Sequence, residues 1–172
     1  FEKVAADKVE KYYARALYRA GACAANLTNW PASQAHFDAL LKQFPKFEQA
    51  PDARYGLALA LQKQNQLDQA LAIYQQVTDE TEGESAAKAR FMIGEIKFER
   101  KQFDDANEDF IAVAVGYPYA HWQALAWYEK GRCHMALSEN DKARAAFQTL
   151  LEKHPQHERA AEATKRLAEL KQ

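Results

Sequence analysis

Apolar residues recur along the chain in a fixed stripe. Trp30, Ser33, Phe37 and Leu40 stand at relative positions 0, 3, 7 and 10. The same spacing joins Leu67, Ala70, Tyr74 and Val77, then Phe103, Ala106, Phe110 and Val113, then Asn140, Ala143, Phe147 and Leu150. Steps of three and four residues place such a set on one face of an α-helix. Upstream of each stripe an aromatic precedes a small residue by three positions: Tyr18 and Gly21, Tyr55 and Ala58, Phe91 and Gly94, Tyr128 and Gly131. Twelve residues separate the small residue from the Ser or Ala of the next stripe in all four cases. The registers follow at periods of 37, 36 and 37 residues, and each period predicts two antiparallel helices joined by a short turn.

The residue types in these columns have a physical logic. Neither helix of a pair can bury its apolar face alone, so each must pack on its neighbours. The small residues Gly21, Ala58, Gly94 and Gly131, with Ser33, Ala70, Ala106 and Ala143, are expected where two helices cross closely, because a longer side chain would overpack the crossing. Pro45, Pro118 and Pro155 fall eight residues after the second-helix aromatic and stop that helix; Glu82 takes the same place in the second period. Turn signals stand inside the pairs at Thr28-Asn29 and Ser138-Glu139-Asn140, and between pairs at Glu82-Gly83-Glu84-Ser85.

With Trp127 four residues before Gly131, the segment Gly131–Pro155 resembles the tetratricopeptide pattern of Trp, Gly, Ala, Phe and Pro at set spacings. The resemblance runs through essentially the whole chain. It implies an all-α fold, a right-handed α-α superhelix of antiparallel helix pairs. The period exceeds the family's usual 34 residues, Lys130 stands where Leu is usual, and His134 where Tyr is usual. The long period and the link Pro155-Gln-His-Glu-Arg-Ala-Ala-Glu-Ala are similar to bacterial cell-envelope members, of the type of the Tol–Pal-associated periplasmic protein and the lipoprotein of outer-membrane β-barrel assembly. That likeness implies a periplasmic or cell-envelope location.

The expected organisation is a single array: residues 1–8 as the end of a preceding repeat, repeats at 9–45, 46–82, 83–118 and 119–155, and a capping helix within 156–172. Phe1 and Val4 match Tyr74 and Val77 in register, which is the reason for assigning 1–8 to a second helix. Ala160–Leu170 reads as one more first helix, with Lys165 in the aromatic column and Ala168 in the small one; a charge there suits a solvated cap. The chain opens at Phe1 with no signal-peptide pattern, so it is expected to be a fragment of a longer array.

Composition narrows the classes of function. The formal charge of −1 supplies no electrostatic footprint for nucleic acid or an anionic membrane. No apolar run approaches the roughly 18 residues of a membrane span. Cys23 and Cys133 fall three repeats apart, too far for a bridge, and leave the redox compartment open. Neither a nucleophile with its base nor a Gly-rich phosphate loop is recognisable, so no enzyme activity and no cofactor are expected. His154 and His157 lack a third ligand for a metal ion, and Cys133 and His134 point about 100° apart on a helix. Asp104, Asp105, Glu108 and Asp109 open a second helix, where negative charge suits the helix dipole, and read as a solvated face.

In repeats of this kind the first helices line the concave face. The aromatic column and the residues three, four and seven positions from it are Arg15, Tyr18, Ala22 and Ala25; Asp52, Tyr55, Leu59 and Gln62; Lys88, Phe91, Glu95 and Phe98; and Leu125, Tyr128, Arg132 and Met135. The sites chosen from these for contact with a protein or peptide are Arg15, Tyr18, Tyr55, Leu59, Lys88, Phe91, Glu95, Phe98, Tyr128, Arg132 and Met135. Tyr and Arg are prominent among residues that carry interface energy. The competing reading is that the aromatics pack neighbouring repeats. The residues after the small column, Ala22, Leu59, Glu95 and Arg132, include no Asn, so the family's clamp for a terminal carboxylate is absent. Tyr117, Tyr119 and Trp122 form a second candidate, an aromatic anchor at a repeat junction. The reading that follows is a non-catalytic scaffold or adaptor. Its alternatives are a regulatory or substrate-presenting arm of a larger enzyme or secretion complex, and a repeat protein that self-associates.

Overall fold

The computed structural model describes the backbone of residues 2–170 and side chains from residue 9 onward. Among the described residues there are nine α-helices: α1 (Glu2–Asn26), α2 (Trp30–Gln43), α3 (Ala50–Lys63), α4 (Leu67–Glu80), α5 (Glu84–Glu99), α6 (Phe103–Gly116), α7 (Ala120–Ala136), α8 (Asn140–Lys153) and α9 (Ala160–Glu169). They fall into two compact units that divide between Thr81 and Glu82. In the first, α1 packs on α2, α2 on α3 and α3 on α4; in the second, α5 through α9 pack in the same sequential way. First helices also touch within each unit, α1 with α3 and α5 with α7. The chain is an all-α repeat solenoid.

The close crossings sit at the small columns. A Cβ placed on Gly21 would come within 2.8 Å of the Phe37 ring, and one on Gly94 within 2.8 Å of the Phe110 ring. Gly131 meets Phe147 more closely still. Ser33, Ala70, Ala106 and Ala143 are fully buried, as are Leu40, Phe110, Phe147 and Leu150. The stripe that defines each second helix is therefore the core of its pair.

Each first helix ends in the same way. Thr28, Asn65, Lys101 and Ser138 adopt left-handed backbone, with φ between 57° and 62°. The residue after each donates its amide five positions back, as Asn29 does to Ala24 and Gln66 to Leu61 at 2.8 and 2.9 Å. This closes the helix by the 6→1 bond of a Schellman cap. Gly is absent from all four left-handed positions and only Asn65 has a local preference for them, so at Thr28, Lys101 and Ser138 the turn is specified by the packing of the two helices. Asn29 then caps α2, accepting the Ala32 amide at 3.3 Å, ahead of Pro31 in the first turn.

Three expectations are modified. Residues 2–8 join α1 without a break, because nothing between them and Gly21 interrupts helical backbone; Phe1 lies outside the described residues. The solvated-face reading fits Asp104, Asp105 and Glu108, which are exposed, and fails for Asp109, which is 3 % exposed. Asp109 stands three residues after Ala106 on the buried stripe, where Arg90 Nη1 at 3.0 Å and Lys97 Nζ at 2.6 Å neutralise it. The aromatic column is the third, described below.

The two departures from the tetratricopeptide pattern have partners. Lys130 places its ammonium 4.9 Å from the centre of the Trp127 ring, with burial lowering its pKa. Buried His134 brings Nδ1 to 2.7 Å from the Glu139 carboxylate across the α7–α8 turn.

Candidate functional site

In the first unit the predicted face is carried by α1 and α3. Arg15 and Asp52 are exposed, and Tyr18, Tyr55 and Leu59 are half-buried. Tyr18 sits between Phe37 and Phe47, with ring centroids 6.0 and 6.3 Å away. Burial raises its pKa, and the charge of Asp52 raises it further. Tyr55 packs on Tyr74 at 5.7 Å, and burial pushes its hydroxyl up to about 12. Tyr74, fully buried, donates its hydroxyl to Gln62 Oε1 at 2.9 Å.

In the second unit α5 and α7 carry the face, and here the aromatic column lies deeper. Phe91 is 7 % exposed and Tyr128 4 %. Phe91 packs on Phe110 at 5.3 Å and Trp122 at 5.5 Å, and Tyr128 on Phe147 at 5.7 Å. These rings are the floor beneath the surface, held there by the second helix of their own pair. The surface itself is charged. Arg132 lies over the Phe98 ring at 4.5 Å and donates to Glu129 Oε2 at 2.5 Å. Arg159, just before α9, lies over the Tyr128 ring at 5.1 Å. Glu95 lies on α5 and Glu129 on α7, where Glu129 is 4 % exposed. Burial raises the pKa of both, and mutual repulsion adds to this at Glu129, which reaches about 7. Lys88 pairs with Glu84 at 3.1 Å, and Met135 packs into the core beneath Tyr128.

Glu129 and Arg159 join this face without having been singled out from the sequence. Arg166, on α9, pairs with Glu162 at 3.2 Å and Glu169 at 3.1 Å. Glu129 could have been found by stepping one helical turn back from Arg132 rather than counting from the aromatic. The arginines of the last helix had no such signal.

The aromatic anchor candidate is folded into the second unit. Trp122 packs on Phe91 and donates its indole N–H to Glu84 at 3.1 Å, and the Tyr117 carbonyl accepts from Gln123 at 2.9 Å. Tyr117 and Tyr119 are half-buried. His157 meets His121 with their ring nitrogens 3.1 Å apart. No group of three metal-ligating side chains occurs among the described residues. Both cysteines are free, Cys23 exposed and Cys133 buried. No helix among the described residues is long and apolar enough to cross a membrane.

Helix pairs with small residues at the crossings and a Schellman turn between them define a tetratricopeptide-repeat protein. Solved structures agree on the fold. A tetratricopeptide-repeat protein from Parabacteroides merdae superposes with a TM-score of 0.75 at 16 % identity, over 93 % of this chain and 60 % of that one. PilF of Pseudomonas aeruginosa gives 0.76 at 15 % identity, over 94 % and 68 %. YrrB, described as a repeat protein with an unusual peptide-binding site, gives 0.67 at 26 % identity, over 88 % and 74 %. The chain thus spans about three-fifths of the Parabacteroides protein. The sequence profile of the YfiO family, described as outer membrane lipoprotein, matches residues 10–172, and the chain belongs to that family. No curated protein matches it significantly.

Proposed function

We propose that this chain is a non-catalytic scaffold of the bacterial cell envelope that holds a segment of another protein against its first helices. The observation that carries this is the α5–α7 face, where Arg132 lies on Phe98 and Arg159 on Tyr128. Guanidinium groups flattened on rings over an aromatic floor combine desolvated contact area with directional charge, the composition of interface hot spots. On α1 and α3, Arg15, Tyr18, Tyr55 and Leu59 offer the equivalent surface of the first unit. Membership of an outer membrane lipoprotein family supports the envelope location, and the peptide-binding site of YrrB supports a peptide-like partner.

A photo-crosslinking residue introduced in turn at Leu59, Lys88 and Arg132, and at the exposed second-helix positions Gln76 and Gln148, tests this. Crosslinks to one partner from the first-helix positions alone are expected. Crosslinks from Gln76 or Gln148 instead would move the site to the opposite face.

Self-association is a second reading, favoured by one feature. Val9 and Tyr12 on α1 are 67 and 69 % exposed, and Tyr13 beside them is half exposed. An apolar stripe of this kind on one helix face favours a contact. Sedimentation of the chain and of a Val9→Ser/Tyr12→Ser variant separates a dimer built on α1 from a monomer.

A further inference from the structure

His121 stands in the first turn of α7, and His157 in the link between α8 and α9. Their facing nitrogens, His157 Nε2 and His121 Nδ1, are 3.1 Å apart, with ring centroids at 5.0 Å. A second contact decides which ring donates. The backbone amide of Arg159 donates to His157 Nδ1 at 3.2 Å and takes up the lone pair there. A neutral imidazole carries one N–H and one acceptor nitrogen, so the His157 proton sits on Nε2 and is given to His121 Nδ1. His121 then keeps its own proton on Nε2. The run from the Arg159 amide through His157 to His121 is complete only while both rings are neutral. We propose that the His121–His157 contact is a pH-operated latch tying the α8–α9 link to the start of α7, closed while both rings are neutral and released when either takes up a second proton.

Either protonation sets two hydrogens against each other. On His157 the added proton lands on Nδ1, facing the Arg159 amide; on His121 it lands on Nδ1, facing the His157 Nε2–H. The surrounding charges pull both ways. From α5, Glu84 favours the charged form of His121, although Trp122 and Lys88 each hold that carboxylate at 3.1 Å. Within the link, Glu158 favours protonation of His157, whereas His154 and Arg159 oppose it. From the end of α8, Lys153 acts on His154. Burial, and then His121, hold the His157 pKa below its ordinary 6.5. The latch is therefore fully closed above about pH 6.5 and is lost as pH falls through the lower folded value. Two residues beyond His157, Arg159 lies over the Tyr128 ring at 5.1 Å, and His121 meets Trp122 edge-on at 5.2 Å. Release of the link thus reaches the α5–α7 face. The inference stands on the link and holds whether or not that face binds a partner.

The test is a ring-nitrogen NMR titration of the histidines from pH 8 to pH 4.5. Exchange of the Arg159 amide is measured beside it at pH 7.5 and pH 5, corrected for intrinsic rates. Expected at pH 8 is the Nε2–H tautomer in both rings, with His157 titrating below 6.5. Protection of the Arg159 amide should fall about three- to tenfold at the lower pH, the worth of one ordinary hydrogen bond, while amides in the middle of α7 keep theirs. His121→Phe keeps a ring beside Trp122 and removes the acceptor, so the His157 titration should move up. His157→Phe should erase the pH dependence of the Arg159 amide. His121 is exposed and His157 half-buried, so both variants are expected to fold. A proton on His157 Nδ1 at pH 8 overturns the latch. So does Arg159 protection that is unchanged between the two pH values, or a His157 titration that His121→Phe leaves in place.

Discussion

The ring of Phe147 lies so close to Gly131 that a methyl group on the glycine would overlap it. Phe110 and Gly94 repeat the relationship one period earlier, and Phe37 and Gly21 two periods before that. The ring cannot retreat, because Phe110 and Phe147 are fully buried. Gly131→Ala and Gly94→Ala should each destabilise the protein by about 1–3 kcal/mol through overpacking. Gly116 is the control: it is helical, and a Cβ there would meet nothing within 4 Å. Gly116→Ala should be neutral or stabilise by up to about 1 kcal/mol. Urea unfolding of the three variants makes the comparison.

The left-handed turn residues offer a stabilising change. Lys101 holds φ 61° with a full side chain, a conformation that costs an L-residue roughly 1 kcal/mol and a glycine almost nothing. Lys101→Gly should therefore raise stability by about 0.5–1 kcal/mol, offset slightly by unfolded-chain entropy. Asn65, at φ 62°, already tolerates the region, and Asn65→Gly should change little. Thermal melts followed by circular dichroism resolve the difference.

Asp109 depends on two cations from α5. Asp109→Ala removes the charge that Arg90 and Lys97 converge on and should cost about 2–4 kcal/mol. A double variant, Asp109→Leu/Lys97→Met, should recover part of that loss, since an apolar pair leaves fewer charges unpartnered. Chemical denaturation of both proteins provides the measurement.

Phe91 and Tyr128 should behave as core residues. Truncating either to Ala is expected to cost about 3–5 kcal/mol and to loosen the second unit. Loss of partner binding in such variants would report lost packing, so the binding face is better tested at Lys88, Arg132 and Arg159. Near-ultraviolet circular dichroism of Phe91→Ala and Tyr128→Ala distinguishes a loosened core from an intact one.

The buried Glu129 carboxyl also predicts a thermodynamic sign. Glu129 has an ordinary value of 4.5 and reaches about 7 in the fold, so the native state holds a proton that the unfolded chain has lost between those values. Stability from this group is therefore complete below about pH 4.5, falls as pH rises to about 7, and is level above. The fall is on the order of 3 kcal/mol. Glu129→Gln should flatten the profile over that window in urea titrations at successive pH values.

Periodicity along the chain determined the helix pairs, the small residues at their crossings, the second-helix core stripe and the prolines beyond it. These are legible because a column repeated every 36 or 37 residues reports a contact made within or beside its own helix pair. Depth was not legible. Tyr18 and Tyr55 are half-buried while Phe91 and Tyr128 are buried in the same column, since burial depends on what the next helix contributes. Trp122 covers Phe91, and the Arg159 side chain reaches Tyr128 from just before α9. Asp109 looked like one of four solvated carboxylates until α5 brought Arg90 and Lys97 to it. The meeting of Arg132 with Phe98 belongs to the same class: 34 residues apart in the chain, they touch only because two first helices lie side by side. Local spacing decides which face of a helix is apolar, whereas ionisation, burial and the surface open to a partner depend on groups that only packing brings together.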